Sequence, residues 1–187
     1  MKIVKIIFFV LVAIAATTLI TSFFTPKSMD MERSIVVNAP QSTVYQYLSD
    51  FKNMNYWSPW YNIDPETKYN YFGEAGVVGH GYTWKSDNND VGTGNMSFTS
   101  LNYPNQLNYQ LKFIEPFESK ANGVFNLENQ GEKTKVSWTF HTDFSRLQSV
   151  FMLFIDMKGM LEKDFDKGLS QLQQANLVSN NTEMVEE

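Results

Sequence analysis

The sequence contains no cysteine. That excludes disulfides, zinc–thiolate sites and cysteine nucleophiles, while leaving the compartment open. Histidine is nearly absent, with two in 187 residues, so any metal site would have to be built from carboxylates. Neither a metal nor a cofactor is expected. Charged residues make up only 19% and the net charge is −5. A domain of that sign repels phosphate backbones, which argues against nucleic acid as a partner. The glycines Gly73, Gly76, Gly79 and Gly81 lack a Gly-Lys-Ser/Thr ending and no helix follows them, so they form no phosphate loop.

What the chain has in quantity is aromatic side chains, at 15% of residues. Each buries a large area, so a substantial core is available to one domain. The other strong feature is N-terminal. Lys2 and Lys5 precede an uncharged run of 19 residues, Ile6 to Phe24, close to the ~20 needed to cross a bilayer core. The rival reading is a cleaved signal peptide, for which Ala13-Ile14-Ala15 spells a small-x-small site. Cleavage there would shorten the apolar region to Ile6–Val12 and leave Leu19, Ile20, Phe23 and Phe24 on the mature surface, so an uncleaved anchor over residues 1–25 is the better reading. The basic excess before the span (Lys2, Lys5 and the α-amino group against Lys27 and Arg33) places the N-terminus in the cytoplasm and the domain outside it. The protein is then single-pass, with a linker over 26–30, a domain over 31–175 and a polar tail over 176–187.

Within the domain, Glu32 to Asn38 reads as a strand and Pro40 to Ser49 as a helix, with Val44, Leu48 and Phe51 at helical spacing. Phe51 to Pro65 is irregular and aromatic. Strand-like runs follow: 69–72, 79–85, 94–101, 107–113, 120–128 and 133–142. Leu107, Tyr109, Leu111 and Phe113 alternate with polar residues, as do Val136, Trp138 and Phe140. Such alternation means one buried and one wet face, and the short turns indicate an antiparallel meander. Ser145 and Gln148 fit a capping box. From there an apolar stripe through Leu147, Phe151, Phe154, Phe165 and Leu172 predicts one continuous helix, Ser145 to Leu172, about 42 Å long at ~1.5 Å per residue. It would span a sheet of seven strands. The fold class is α+β.

The chain resembles the START-like, or SRPBCC, superfamily in its polyketide cyclase/dehydrase-like branch, which has the helix-grip fold also described as Bet v 1-like. The resemblance runs from about Met31 to Gln174. It rests on Glu32 through Pro40, Asp50-Phe51, Trp57-Ser58-Pro59-Trp60, Lys112 through Ser119, Lys133 through Trp138, and Lys163 through Leu169. It implies a curved antiparallel sheet of about six or seven strands wrapped on a long C-terminal helix, with a deep hydrophobic cavity between them. Members of the superfamily hold lipids, sterols, hormones or polyketides there. Some are cyclases, and others are co-chaperone-like activators of a heat-shock ATPase, so the fold by itself names no reaction.

Candidate chemistry is thin. His80, among the glycines, is a cavity-mouth acid–base group or, more simply, a turn histidine. His141 shares a polar face with Ser137 and Thr139. Asp50, Asp64 and Glu66 could form a rim acid pair, but residues so placed more often cap turns. No catalytic set is identified. The expected partner is a hydrophobic small molecule, lipid-like or polyketide-like. Its site would be formed by Trp57 and Trp60 of the aromatic loop, by Tyr82, Trp84, Met96 and Phe98, by Tyr109, Leu111 and Phe113, and by Phe125, Trp138 and Phe140 from the sheet. Phe151, Phe154, Ile155 and Phe165 would face them from the helix, and Tyr82, Trp84 and Tyr109 would supply polar contacts. Two alternatives stay open: a cyclase or dehydratase working in the same cavity, and a protein-interaction module with a filled core. Whether the space under the last helix is hollow separates them.

Overall fold

Polar-out, apolar-in alternation over six successive runs leaves the chain one economical solution, a single sheet coiled around its own apolar face. The computed structural model, which describes residues 2–175 and Leu177, has seven antiparallel strands in the order β1-β7-β6-β5-β4-β3-β2. They are β1 (Ser28–Val37), β2 (Lys68–Phe72), β3 (Gly81–Lys85), β4 (Thr93–Asn102), β5 (Gln106–Glu115), β6 (Ser119–Gln130) and β7 (Lys133–Asp143). Between β1 and β2 lie α2 (Gln41–Leu48) and a short 3-10 helix (Phe51–Tyr56). The expected tail over 176–187 lies outside the described residues apart from Leu177, which is buried.

β1 begins at Ser28, ahead of the expected Glu32, because Met29 and Met31 continue its inward face while Asp30 and Glu32 face out. The sheet curves at β4, where register shifts fall between Thr93 and Gly94 and between Phe98 and Ser100; bulges of this kind bend and twist a strand. Two glycines let large rings lie flat across neighbouring strands. A Cβ at Gly123 would collide with the Tyr109 ring opposite, and one at Gly94 would collide with Trp84.

The apolar helix α1 (Lys2–Thr21) stands clear of the domain and is, among the described residues, the one helix long and apolar enough to cross a membrane. The expected single C-terminal helix is two: α3 (Arg146–Phe151) and α4 (Met157–Gln174). The capping box that starts α3 is formed, with the Ser145 hydroxyl and the Gln148 side chain each bonded to the other's backbone. The break comes at Asp156. Its carboxylate accepts from the Gly159 amide at 3.0 Å and caps a new helix, which gives the chain a second place to begin one. The apolar stripe ran through this cap unchanged, so periodicity alone gave no sign of it.

α4 runs along β1. Arg33 donates to both Asp166 carboxylate oxygens, at 2.7 and 2.6 Å, and Gln173 donates to the Val36 carbonyl at 2.7 Å. Gly168 lets α4 also approach the aromatic loop and β7, since a Cβ there would sit 3.1 Å from Pro59 and 3.3 Å from Trp138.

On the outer face, His141 pairs across the β1–β7 ladder with Asp30 at 2.7 Å, beside Asp143 at 3.5 Å. The bond to Asp30 raises its pKa above the ordinary 6.5. A raised folded-state pKa means the pair contributes fully below the unfolded value and is lost as pH rises through the folded one. The imidazole is well exposed, so the contribution is below ~1 kcal/mol. An NMR titration of the His141 ring protons is expected to show a midpoint above 6.5 that falls in Asp30→Asn, where Asp143 remains as the second carboxylate partner. An unshifted midpoint would contradict the pairing.

Candidate functional site

The interior divides into a packed part and a hollow part. In the packed part, the Trp138 ring stacks on Phe165 at 3.9 Å between centroids and meets Phe125 at 5.1 Å and Trp57 at 5.3 Å. Phe51 stacks on Phe98 at 4.1 Å and on His80 at 5.5 Å. Trp57, Phe98 and Phe125 therefore fill the core and do not line the cavity as expected. Each sits in the centre of an aromatic cluster, and alternation cannot separate a cavity wall from a core that happens to face the same way.

The hollow part is a cavity of about 310 Å³ between the sheet, the aromatic loop and the first half of α4. Of the expected residues, Trp60, Tyr82, Trp84, Met96, Tyr109, Leu111, Phe113, Trp138 and Phe140 line it, and Phe165 joins them from α4. Phe151, Phe154 and Ile155 do not, because the break before α4 turns them outward and all three are exposed. The structure adds Met54, Asn55, Ser58 and Tyr61 from the loop, Tyr69 from β2, Asp90 and Val91 from the β3–β4 turn, and Met157 and Leu161 from α4. Of these, Met157 and Leu161 lay on the predicted helix, Tyr69 on a predicted strand, and Met54, Asn55, Ser58 and Tyr61 in the aromatic loop. Asp90 and Val91 arrive through a turn whose path no periodicity encodes.

The aromatic loop serves as both plug and wall. Trp57 is buried in the core, while Trp60 packs edge-on to Trp138 and Phe165 at the cavity and Tyr61 stacks on Tyr69 at 5.1 Å. Polar groups in the cavity are few. The Tyr109 hydroxyl accepts from the Trp138 indole N–H at 2.5 Å, and among the described residues its own proton has no acceptor. The Tyr82 hydroxyl reaches only the Met96 sulfur, at 3.7 Å. Trp84 does not offer the expected polar contact, since its N–H donates to the Val91 carbonyl at 3.1 Å. Burial pushes the Tyr82 and Tyr109 phenols well up from the usual range, and Tyr69 up to about 12. At neutral pH all three are protonated donors.

The remaining candidates lie outside the cavity. His80 is 3% exposed and stacked on Phe51. Its Nε2 accepts from the Phe51 amide at 3.1 Å and its Nδ1 lies 3.2 Å from the Gly73 carbonyl, an arrangement served by the Nδ1–H tautomer. It is a core histidine, not a turn residue at an open mouth. Asp50 lies 3.3 Å from its Nε2 and caps the 3-10 helix through the Lys52 amide. Asp64 accepts from the Ser86 hydroxyl and the Glu66 amide, which hold its carboxyl below the usual range. Asp50, Asp64 and Glu66 thus form no acid pair at the cavity. Among the described residues its only carboxylate is Asp90, exposed at one end.

Solved structures share this architecture. The protein Mll3558 of Rhizobium loti aligns over 79% of this chain and 96% of its own, with a TM-score of 0.58 at 14% identity. The Aha1 dimer of Colwellia psychrerythraea aligns over 81% and 98%, with a TM-score of 0.55 at 19% identity. The protein CV1439 of Chromobacterium violaceum aligns over 80% and 96%, with a TM-score of 0.54 at 14% identity. At such identities the likeness is one of fold. No curated protein matches the chain in sequence. Residues 28–175 match the family model described as polyketide cyclase / dehydrase and lipid transport.

Proposed function

Since this chain belongs to the polyketide cyclase / dehydrase and lipid transport family, we propose that it is a membrane-anchored module that holds one hydrophobic small molecule in the cavity beneath α4. The observation that carries the reading is the cavity itself. It is walled almost entirely by aromatic and aliphatic side chains, with the Tyr82 and Tyr109 hydroxyls as isolated donors. Apolar walls with a few converging polar groups are the general form of a small-molecule site, and ~310 Å³ is at the lower end of the ~300–1,000 Å³ such sites span. The size favours a compact apolar body or a single chain, with a carbonyl or ether oxygen accepting from a tyrosine. Acid–base chemistry would require a poised pair near the substrate, and the cavity offers protonated phenols and one exposed carboxylate. Holding a molecule is the better reading of that lining.

The anchor in this proposal is α1, whose 20 residues match a bilayer core in length and composition. It keeps the site where an apolar ligand partitions, with the domain on the outer side.

The test is native mass spectrometry of full-length protein extracted gently from its own membranes. A defined nonpolar adduct at one per chain is expected, released on unfolding. A bare mass in every preparation, with no saturable uptake of an environment-sensitive naphthalene dye, would overturn the carrier reading.

A further inference from the structure

The two ends of the sheet differ. The strand registers bring to one end the start of β1, the end of β7, the β5–β6 turn and the β3–β4 turn: Ser28 pairs with Asp143, Ala121 with Thr142, Phe113 with Ser119, and Thr93 with both Glu115 and Lys85. This is the end from which α1 leaves, since Thr25 precedes β1 by three residues. α3 is tied to that root. The Phe144 amide donates to the Lys27 carbonyl at 2.7 Å, the Thr25 and Ser149 hydroxyls share a buried bond of 2.7 Å, and the Arg146 guanidinium lies 4.3 Å over the Phe23 ring. α4 also begins here and runs away toward Val36 at the other end.

The root end carries large apolar side chains with nothing over them. Phe24 is 84% exposed, Phe154 82% and Phe117, in the β5–β6 turn, 77%; Phe151 and Ile155 are exposed beside Phe154. The opposite end turns through Asn129-Gln130-Gly131-Glu132 and Tyr103-Pro104-Asn105, and the most exposed of its apolar side chains, Val77, Val78 and Tyr103, are smaller or carry a hydroxyl and are 48–59% exposed. The cavity reaches the root end. Asp90, Val91, Phe113, Met157 and Leu161 line it half-buried or exposed there, Asn55, Trp60, Tyr61 and Tyr69 line it half-buried along the aromatic loop and the β2 edge, and Met96, Tyr109 and Trp138 lie deep. The chain passes from exposed Phe154 and Ile155 into cavity-lining Met157 within two residues.

We propose that the root end of the domain, through Phe117 and the α3–α4 junction, inserts into the interfacial layer of the same bilayer that α1 spans, so that the cavity mouth opens into lipid and not into water. The proposal rests on reading α1 as an anchor. Apolar side chains left exposed in a patch call for a partner, and a helix fastened to the base of a span has the bilayer surface as its nearest apolar phase. An interfacial segment of this kind sits ~5–10 Å into the headgroup boundary. Asp87, Asp90, Glu115 and Glu118 lie at the same end, interspersed with Lys27, Lys85, Lys120 and Arg146, so no single sign of charge dominates there and insertion is apolar in origin and does not depend on anionic lipid. A ligand would move from bilayer to cavity without crossing water.

The absence of cysteine allows single-site spin labelling of the full chain. Phe117→Cys, Phe154→Cys, Asn129→Cys and Val10→Cys would be reconstituted into vesicles of phosphatidylcholine, with and without phosphatidylglycerol. All four positions are exposed, so the fold is not at stake. The expected result is collision with oxygen exceeding collision with a water-soluble nickel chelate at 117 and 154, the reverse at 129, and no change with phosphatidylglycerol. Lipid exposure at 10 with aqueous exposure at 117 and 154 would overturn the docking and leave the anchor standing. Aqueous exposure at 10 would remove the anchor and the docking together. Labels at 117 and 154 shielded from both reagents, with dipolar broadening between chains, would assign the patch to a second copy and overturn the lipid reading.

Discussion

Trp138→Ala is expected to lower the stability of the domain by about 3–5 kcal/mol, the usual range for emptying a large buried aromatic site. The reason is position. Trp138 is 2% exposed on β7 and touches the rings of Phe165 from α4, Phe125 from β6 and Trp57 and Trp60 from the loop. Its N–H is also the donor to Tyr109 on β5. One residue thus joins the last helix, the aromatic loop and three strands, and the neighbours are themselves too rigid to collapse into the gap. A domain has only ~5–15 kcal/mol of net stability, so a large share would be lost. At ~2–4 °C per kcal/mol for a chain of this size, the melting temperature should fall by about 6–20 °C. Near-ultraviolet circular dichroism of the full chain in mild detergent measures it. A fall of under about 3 °C would show that helix, loop and sheet are held together elsewhere.

The second large effect concerns binding with the fold left intact. Leu161 is half-buried on α4 and lines the cavity near its mouth. In Leu161→Trp the larger ring enters the cavity and displaces about two to three methylene equivalents of ligand, at ~0.8 kcal/mol each. The loss of about 2 kcal/mol corresponds to about a thirtyfold weaker Kd. Because the side chain borders open space, stability should change by less than ~1 kcal/mol. Titration with the naphthalene dye, alongside the melting curve, reads both. Equal affinity in the variant and the parent would place the ligand elsewhere. A matched loss of affinity and stability would point to a general loosening of the fold.

How much was legible in the sequence varied with the kind of signal. Strands with clean alternation, such as Leu107–Phe113, were found to within a residue or two, because period-two burial is a property of a single strand. The capping box at Ser145 was also legible, since its two partners are three residues apart. The break at Asp156 was not. Its apolar stripe is continuous, and whether a helix runs on or restarts at an aspartate depends on whether the next turn has a surface to pack against. α3 has none in the domain, so Phe151, Phe154 and Ile155 were placed under the sheet when they point away from it.

His80 shows the same limit from the other side. Locally it is a histidine among glycines. Its burial, its stack on Phe51 and its bond to the Phe51 amide come from a segment 29 residues earlier. Trp57 and Trp60 stand three residues apart in one loop, yet one is core and the other cavity wall. Only the turn through Ser58 and Pro59, after the 3-10 helix has ended at Tyr56, separates the two roles.

By itself the sequence determined the fold class, the strand order's raw material, the anchor-length apolar segment and the exclusion of thiol chemistry, because each of these is a matter of composition or short-range period. Tertiary structure alone decided that the interior is part packed and part hollow. That depends on which large rings meet across strands, on Gly123 and Gly94 giving Tyr109 and Trp84 room to lie down, and on α4 running along β1 instead of over the middle of the sheet. Volume left empty is a property of how distant surfaces fail to meet, and no local pattern of residues records it.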